Sequence, residues 1–313
     1  MAHTGRFVSG AVLKTLLGIS QDDIAQHIAH LRTEGVGIEA RAGTGYRLTE
    51  IPDRLSPALI RRELGTEIVA QEIHYFRKTD STNSIAKELA CSGAADGTLV
   101  IAEEQSSGRG RMERRWVSRS CSSILSSIIF YPPLKPSAVF RLTMMASIAV
   151  VTAIRRVCAL PAVIKWPNDV YLNMKKVCGI LTELAAEKDS THYAVVGIGI
   201  NVNGDLHEYP EIEGIATTLE KEYGRRVSRI DLLNKLLAEL DRLYQGLIKN
   251  GGDDLKRQWE QYSMVLGRQV TVISGDEQVE GIARGIDSDG HLIVTDLHGN
   301  RREIVSGDVS LKL

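Results

Sequence analysis

The sequence predicts an α+β protein in three parts: a winged helix-turn-helix at residues 1–50, a mixed-sheet α/β domain at 66–262, and a small SH3-like β-barrel at 266–313. Three observations predict it. Two short capped helices and a hairpin open the chain, and helical and strand periodicities then alternate through the middle. From Leu266 onward only short apolar runs remain, punctuated by glycine. A length of 313 residues suits two or three domains.

In the first part Ser9 caps a helix through Leu17, Gly18 breaks it, and Ser20 caps a second helix over Gln21–Arg32. Ile24, Ile28 and Leu31 share one face of that second helix. Val36–Glu39 and Tyr46–Leu48, joined through Ala42-Gly43-Thr44-Gly45, form the wing, and Pro52 and Pro57 bracket a linker. The middle part offers strands at Thr98–Ala102, Ile124–Phe130, Val163–Trp166, Val177–Leu184 and Tyr193–Val202. It also offers helices at Ser137–Cys158 and, with a clear leucine pattern, at Arg229–Ile248. The last part reads as strands Gln269–Ile273, Val279–Ile286, Leu292–Thr295 and Glu303–Val305, separated by Gly275, Gly290 and Gly299.

Composition narrows the function classes. Hydrophobic content of 43% and charged content of 25% are those of a globular protein with a substantial core. A net charge of −1 gives no global pull toward nucleic acid or anionic membrane, so such binding needs a local patch. The longest apolar run, Met144–Ile154, is shorter than a bilayer span and reads as a buried helix, and no membrane role is expected. The opening residues lack the basic and apolar regions of a signal peptide, so a cytoplasmic location is expected. Cys91, Cys121, Cys158 and Cys178 are scattered without a CxxC pair or a neighbouring histidine cluster, which suits neither structural zinc nor a disulfide framework.

Two stretches carry the candidate chemistry. Gly108-Arg109-Gly110-Arg111 follows a strand and is succeeded by Trp116; its glycines permit close backbone approach to a phosphate, and its arginines supply planar forks for phosphate or carboxylate. Taken alone, this run is more often a solvated surface turn. Lys165-Trp166-Pro167-Asn168-Asp169 closes a β-branched strand, with Trp166 as a flat wall and polar groups at the strand's exit; Lys176 and Gly179 follow on a hairpin. Alone, it too is an ordinary turn with a buried tryptophan. Asp80-Ser81-Thr82-Asn83 precedes a helical stretch over Ser84–Ala90, either as a plain N-cap or as a helix start that binds a polar head group. The glycines of Gly197-Ile198-Gly199-Ile200-Asn201 suit a strand against which a ligand lies. No Ser-His-Asp or Cys-His arrangement stands out, so positioning and electrostatics carry the work.

In combination these motifs resemble the biotin–protein ligases, over nearly the whole chain. The elements that match are Ser81-Thr82-Asn83, Gln105, Gly108 to Arg111, Trp116, Lys165 to Asp169, Lys176 with Gly179, and Gly199-Ile200-Asn201. The flanking parts resemble those of the bifunctional subgroup, which also represses biotin genes, and the central part is of the biotin/lipoyl ligase type. The resemblance implies ATP-dependent biotinylation of a lysine on the biotin carboxyl carrier protein of acetyl-CoA carboxylase, through biotinyl-5′-AMP. ATP with Mg2+ and biotin are then substrates, and no metal is tightly held.

The same resemblance assigns roles. Ser81, Thr82, Asn83 and Gln105 hold the ureido ring of biotin together with the backbone of Arg109, Gly110 and Arg111, and Lys176 and Gly179 complete the biotin site. Lys176, Arg109 and Arg111 act in catalysis; Lys176 bonds the carboxylate and the transferring phosphate, and the arginines close over the adenylate. Trp116, Lys165, Asn168, Asp169 and Asn201 line the nucleotide side, with Asp169 the candidate magnesium contact. A homodimer through paired sheet edges and binding to operator DNA are implied as well.

Against the family pattern, Glu113 stands where a glycine is usual, and Val117 to Ser123 lacks the usual Pro, Gly and Asn, which predicts a stiffer loop. The family's first helix, ahead of Gly5, has no counterpart, which suggests an authentic start further upstream. In residues 1–49 five basic residues (Arg6, Lys14, Arg32, Arg41, Arg47) face four acidic ones (Asp22, Asp23, Glu34, Glu39), a thin footprint for DNA. Two other readings stay open: a lipoyl or octanoyl transferase on the same fold, and a biotin-sensing repressor with weak ligase turnover.

Overall fold

The computed structural model describes residues 5–33, 35–50, 53–188 and 190–311, so Glu34 and Pro52 lie outside the described residues. The chain divides into two compact units, Met1–Asp53 and Arg54–Leu313.

The first unit holds helices α1 (Gly10–Leu17) and α2 (Gln21–Thr33) and the antiparallel strands β1 (Gly37–Arg41) and β2 (Gly45–Glu50). The local chemistry explains each boundary. Ser9 Oγ accepts from the Val12 amide at 3.2 Å, and Gly18 takes the left-handed conformation at the other end of α1. Ser20 and Asp23 cap α2 reciprocally: each backbone amide donates to the other's side chain at 3.1 Å. Ile24 and Ile28 are buried while Leu31 on the same face stays exposed.

The second unit is built on a seven-stranded mixed sheet in the order β3-β4-β5-β9-β8-β7-β6. Its strands are β3 (Ile73–Phe76), β4 (Leu99–Ala102), β5 (Ser123–Phe130), β6 (Val163–Lys165), β7 (Asp169–Leu172), β8 (Lys175–Glu187) and β9 (Ser190–Asn201). Only β3 and β4 run parallel; the remaining pairs are antiparallel. The helices are α3 (Pro57–Arg61), α4 (Thr82–Cys91), α5 (Phe140–Cys158), α6 (Leu219–Tyr223), α7 (Arg229–Asn250) and α8 (Asp253–Tyr262). A five-stranded antiparallel sheet follows: β10 (Gln269–Ser274), β11 (Glu277–Ile286), β12 (Leu292–Asp296), β13 (Arg301–Ile304) and β14 (Asp308–Leu311), in the order β13-β12-β11-β10-β14.

The two sheets share one apolar core. Ile148 and Val151 of α5 and Leu236 and Leu240 of α7 belong to the same buried cluster as Val270 and Val294. The helix holding the apolar run is longer than that run. Pro136–Cys158 would by length and hydropathy suffice to cross a membrane, but 72% of its apolar window is buried inside the protein. Arg229, with no exposed surface, pairs with the Glu103 carboxylate at 2.7 Å, and Glu103 in turn accepts from the Leu55 amide at 2.9 Å. Trp166 is equally buried, and its Nε1 donates to the Gly290 carbonyl at 3.0 Å, which ties the Lys165–Asp169 segment to the C-terminal sheet. Strands β3, β7 and β14 and helices α3, α6 and α8 were not expected; each is short or lacks strict periodicity.

Candidate active site

All fourteen residues singled out from the motifs line one cavity of about 390 Å³. Its floor is the middle of β8 and β9. There Gly179 pairs in register with Gly199, leaving a side-chain-free slot on the sheet. Trp116 lies in that slot: a Cβ on Gly199 would stand 2.6 Å from the indole, and one on Gly179 would stand 3.0 Å from it. Gly197 serves a similar end, since a Cβ there would meet Asn83 Oδ1 at 2.1 Å. The glycines of β9 therefore admit two of the protein's own side chains, and both Gly197 and Gly199 line the cavity.

The segment from Gly108 to Trp116 folds back on itself. Trp116 N donates to Gly108 O at 2.9 Å and Gly110 N to Arg114 O at 2.7 Å, closing a narrow loop. A side chain at position 108 would strike the Trp116 carbonyl at 2.6 Å, so this glycine is needed by the loop itself. At the tip Met112 and Glu113 both hold left-handed backbone, with φ of 53° and 58°, a conformation that costs most residues about 1–2 kcal/mol. That explains the physical value of the glycine usual at Glu113.

Charge gathers at one end of the cavity. Lys176 Nζ pairs with Asp169 Oδ1 at 2.7 Å and sits 5.8 Å from the centre of the Trp116 ring. Arg111 donates to Asn168 Oδ1 at 3.3 Å and to the Gly307 carbonyl at 3.4 Å. Burial draws its guanidinium below the usual arginine value, against the opposing pull of Asp308 and Asp169. Burial likewise lowers Lys165, whose ammonium donates to the Tyr171 hydroxyl at 3.3 Å, with Asp169 and Asp308 opposing. Arg114 pairs with Asp308, so the C-terminal strand β14 closes this end. Asn168 is spent on structure, because its Nδ2 donates to the Ile180 carbonyl at 2.7 Å. Asn201 is buried and lines the cavity, with its Oδ1 unpartnered among the described residues.

The other end is a hydrogen-bonded cradle at the start of α4. Ser81 occupies the N-cap position without capping through its side chain. The Thr82 amide and hydroxyl both donate to Gln105 Oε1, at 2.7 and 3.0 Å. Asn83 is held on both sides: its Nδ2 donates to Glu183 Oε2 at 2.8 Å, and its Oδ1 accepts from Ser127 Oγ at 2.6 Å. Arg109 turns to this end, donating to Ser84 Oγ at 3.0 Å and standing 3.8 Å from Glu183, away from the Lys176–Asp169 pair.

Sequence reasoning missed Ser127, Tyr171, Glu183 and Asp308. Consecutive serines in the otherwise apolar run Ile124–Phe130 were a usable signal, as was a glutamate in the apolar strand β8. Asp308 had none, because its place depends on how β14 returns to the sheet.

A glycine-floored cavity with Lys176, Arg111 and Lys165 gathered at one end and a cradle of hydrogen-bonding side chains at the other suits an enzyme that activates a carboxylate with a nucleotide. Comparison with known proteins narrows that class. Residues 75–201 match the biotin/lipoate A/B protein ligase family, and residues 265–312 match the biotin protein ligase C terminal domain. The chain is 36% identical over 306 residues to the bifunctional ligase/repressor BirA of Bacillus subtilis (strain 168), covering 97% of this chain and 94% of that protein. It is 32% identical over 269 residues to the biotin--[acetyl-CoA-carboxylase] ligase of Mycobacterium tuberculosis, covering 82% and 97%. The solved biotin protein ligase of Aquifex aeolicus, in complex with biotin and ATP, superposes with a TM-score of 0.66 at 30% identity, covering 77% of this chain and 99% of that one. The chain belongs to the biotin–protein ligase family.

Proposed function

We propose that this protein joins biotin to a carrier-protein lysine at the expense of ATP, and that the cavity lined by Trp116 performs both half-reactions. The observation that carries this reading is the Lys176 ammonium, set beside an indole shelf with Arg111 and Lys165 at the same end of the cavity. A carboxylate oxygen of biotin attacks the α-phosphorus of ATP, pyrophosphate leaves, and a mixed anhydride with AMP results. A neutral lysine amine of the carrier then attacks the acyl carbon, AMP leaves, and the amine proton is lost to solvent.

The chain's part is positional and electrostatic. Lys176 faces both the carboxylate and the transferring phosphate, and a cation placed at developing charge is worth about 3 kcal/mol. Arg111, held by Asn168 and Gly307, forms the wall of that end. Trp116 supplies the surface for the base, and the unpaired Asn201 Oδ1 suits the donor amine of an adenine. The loop from Gly108 to Trp116 covers the anhydride and keeps water from it.

Magnesium would reach this site with the triphosphate. Asp169 is the carboxylate in place for it, but it is engaged by Lys176, as its neighbour Asp308 is by Arg114, and so few free carboxylates suit an ion held mainly by phosphate oxygens and water. We read the cradle at Ser81, Thr82 and Gln105 as the seat of the ureido ring, with Asn83 acting from behind. We also propose that the first unit is a winged helix-turn-helix, the C-terminal sheet an SH3-like barrel, and the assembly a cytoplasmic homodimer that represses biotin genes at an operator. The bifunctional relatives support this, and Asp22 and Asp23 at the start of α2 weigh against tight phosphate contact there.

The test is ATP–pyrophosphate exchange with biotin, lipoate, octanoate or no acid. Exchange dependent on biotin alone is expected; exchange driven equally by lipoate or octanoate would move the protein to the sister activity.

A further inference from the structure

We infer that Glu183 is the positioning residue that sets the hydrogen-bond polarity of the cradle, and through it the preference for a ureido carbonyl over a donor group in the same place. Glu183 lies on β8 two steps from Leu181 and four from Gly179, on the same face of the strand, beyond the end of the cavity. It does not line the cavity, so it acts through other groups.

An ionised carboxylate can only accept hydrogen bonds. Glu183 Oε2 therefore obliges Asn83 to present its amide nitrogen, at 2.8 Å, while Oε1 takes the Lys87 ammonium at 2.9 Å. Those two partners lie one helical turn apart on α4, which fixes the carboxylate between them. The second Asn83 hydrogen goes toward the Leu181 carbonyl at 3.4 Å. With its nitrogen committed, Asn83 must turn Oδ1 to Ser127, whose hydroxyl donates to it at 2.6 Å. Ser127 Oγ also stands 2.8 Å from Thr82 Oγ1, and with its hydrogen engaged by Asn83 it limits the directions left to the Thr82 hydroxyl. Gln105 receives both Thr82 donors on Oε1, which leaves its amide nitrogen on the side of Gly108. One acceptor-only group thus orders the donors of Asn83, Ser127, Thr82 and Gln105.

The charge that makes Glu183 acceptor-only is maintained locally. Burial pushes its carboxyl upward, but the bonds from Lys87 and Asn83, with Arg109 nearby, outweigh burial and hold it below the usual range. Packing alone does not fix which way Asn83 points, since its two amide ends are nearly the same size, so its hydrogen-bond partners decide.

The proposal rests on the reading that the cradle seats the ureido ring. It is tested with Glu183→Gln, which keeps the shape but can donate as well as accept, so that Asn83 has two acceptable orientations. The probes are biotin and 2-iminobiotin, in which an imine replaces the ureido carbonyl, each assayed by pyrophosphate exchange. In the wild type biotin is expected to win by a wide margin. In Glu183→Gln the KM for biotin should rise roughly tenfold, with kcat and the KM for ATP within about twofold of wild type. The ratio of biotin to iminobiotin kcat/KM should fall by a similar factor. Ser127→Ala, on the far side of Asn83, should move that ratio in the same direction, which keeps the test open if one variant folds poorly. A wild-type discrimination that survives intact in both folded variants would overturn the role of Glu183. Wild-type protein without any biotin-dependent exchange would instead overturn the underlying reading.

Discussion

Placing a methyl group on Gly199 should separate catalysis from folding. The slot under Trp116 exists because position 199 has no side chain. In Gly199→Ala the new carbon would stand 2.6, 2.8 and 3.1 Å from three indole atoms. Unstrained carbon contacts need about 3.5–4.0 Å, so the ring must rise by roughly 1 Å. A displacement of about 1 Å in a positioning group typically costs on the order of 100-fold in rate. Stability should change far less. The overpacking term is about 1–3 kcal/mol, whereas alanine in a strand is favoured over glycine by roughly 0.5–1 kcal/mol and the indole has cavity space to enter. The assays are biotin-dependent pyrophosphate exchange and thermal melting, with Gly246→Ala as control because a Cβ there meets nothing within 4 Å. Tryptophan emission gives an independent reading: Trp166 and Trp259 are buried, so an altered acrylamide quench reports Trp116. Gly199→Ala with exchange within about twofold of wild type, and an unaltered quench, would refute the reasoning.

Three further outcomes follow from the same geometry. Lys176→Ala should lower pyrophosphate exchange by about 100-fold or more while biotin still binds by calorimetry; near-normal exchange would remove Lys176 as the charge stabiliser. Glu113→Gly relieves one of the two left-handed residues at the loop tip, so thermal stability should hold or rise by up to about 1 kcal/mol. A loss larger than that would mean the tip does not take this conformation. Arg229→Leu strands the buried Glu103 carboxylate and should cost about 3–5 kcal/mol in urea unfolding, much of it recovered when Glu103 is also made apolar; an additive double variant would deny the coupling.

Much of the fold was legible because it rests on local rules. The caps at Ser9 and Ser20, the break at Gly18 and the leucine face of α7 depend on neighbours within a turn, and the structure has them where periodicity and capping place them. The cavity lining was legible for a different reason: two motifs and a resemblance nominated residues that the sheet then brought together. What could not be read was orientation. Trp166 and Trp116 are both tryptophans beside basic residues, yet one enters the core toward Gly290 and the other lies over Gly199. Arg109 and Arg111 are two residues apart, yet one turns to Ser84 and the other to Asn168. Such choices are made by partners distant in sequence, such as Glu183 and Gly307, whose own positions are set by long-range strand pairing.

The site also shows how an anion-binding cavity can be assembled without leaving buried charge uncompensated. The cations at that end have internal partners: Lys176 has Asp169, Arg114 has Asp308, Lys165 has the Tyr171 hydroxyl, and Arg111 has neutral acceptors, with both carboxylates near Lys165 and Arg111. An unpaired buried charge would cost several kcal/mol, so these internal partners let the cations be held in place before the substrates arrive. The consequence is competition. A carboxylate or phosphate that takes Lys176 must displace Asp169, and a single anion offers little more than the group it replaces. Two anions arriving together, bridged by the same ammonium, offer more. Built in this way, the site favours the carboxylate and the nucleotide jointly over either one alone, which is the arrangement an adenylating enzyme requires to avoid spending ATP without its acid.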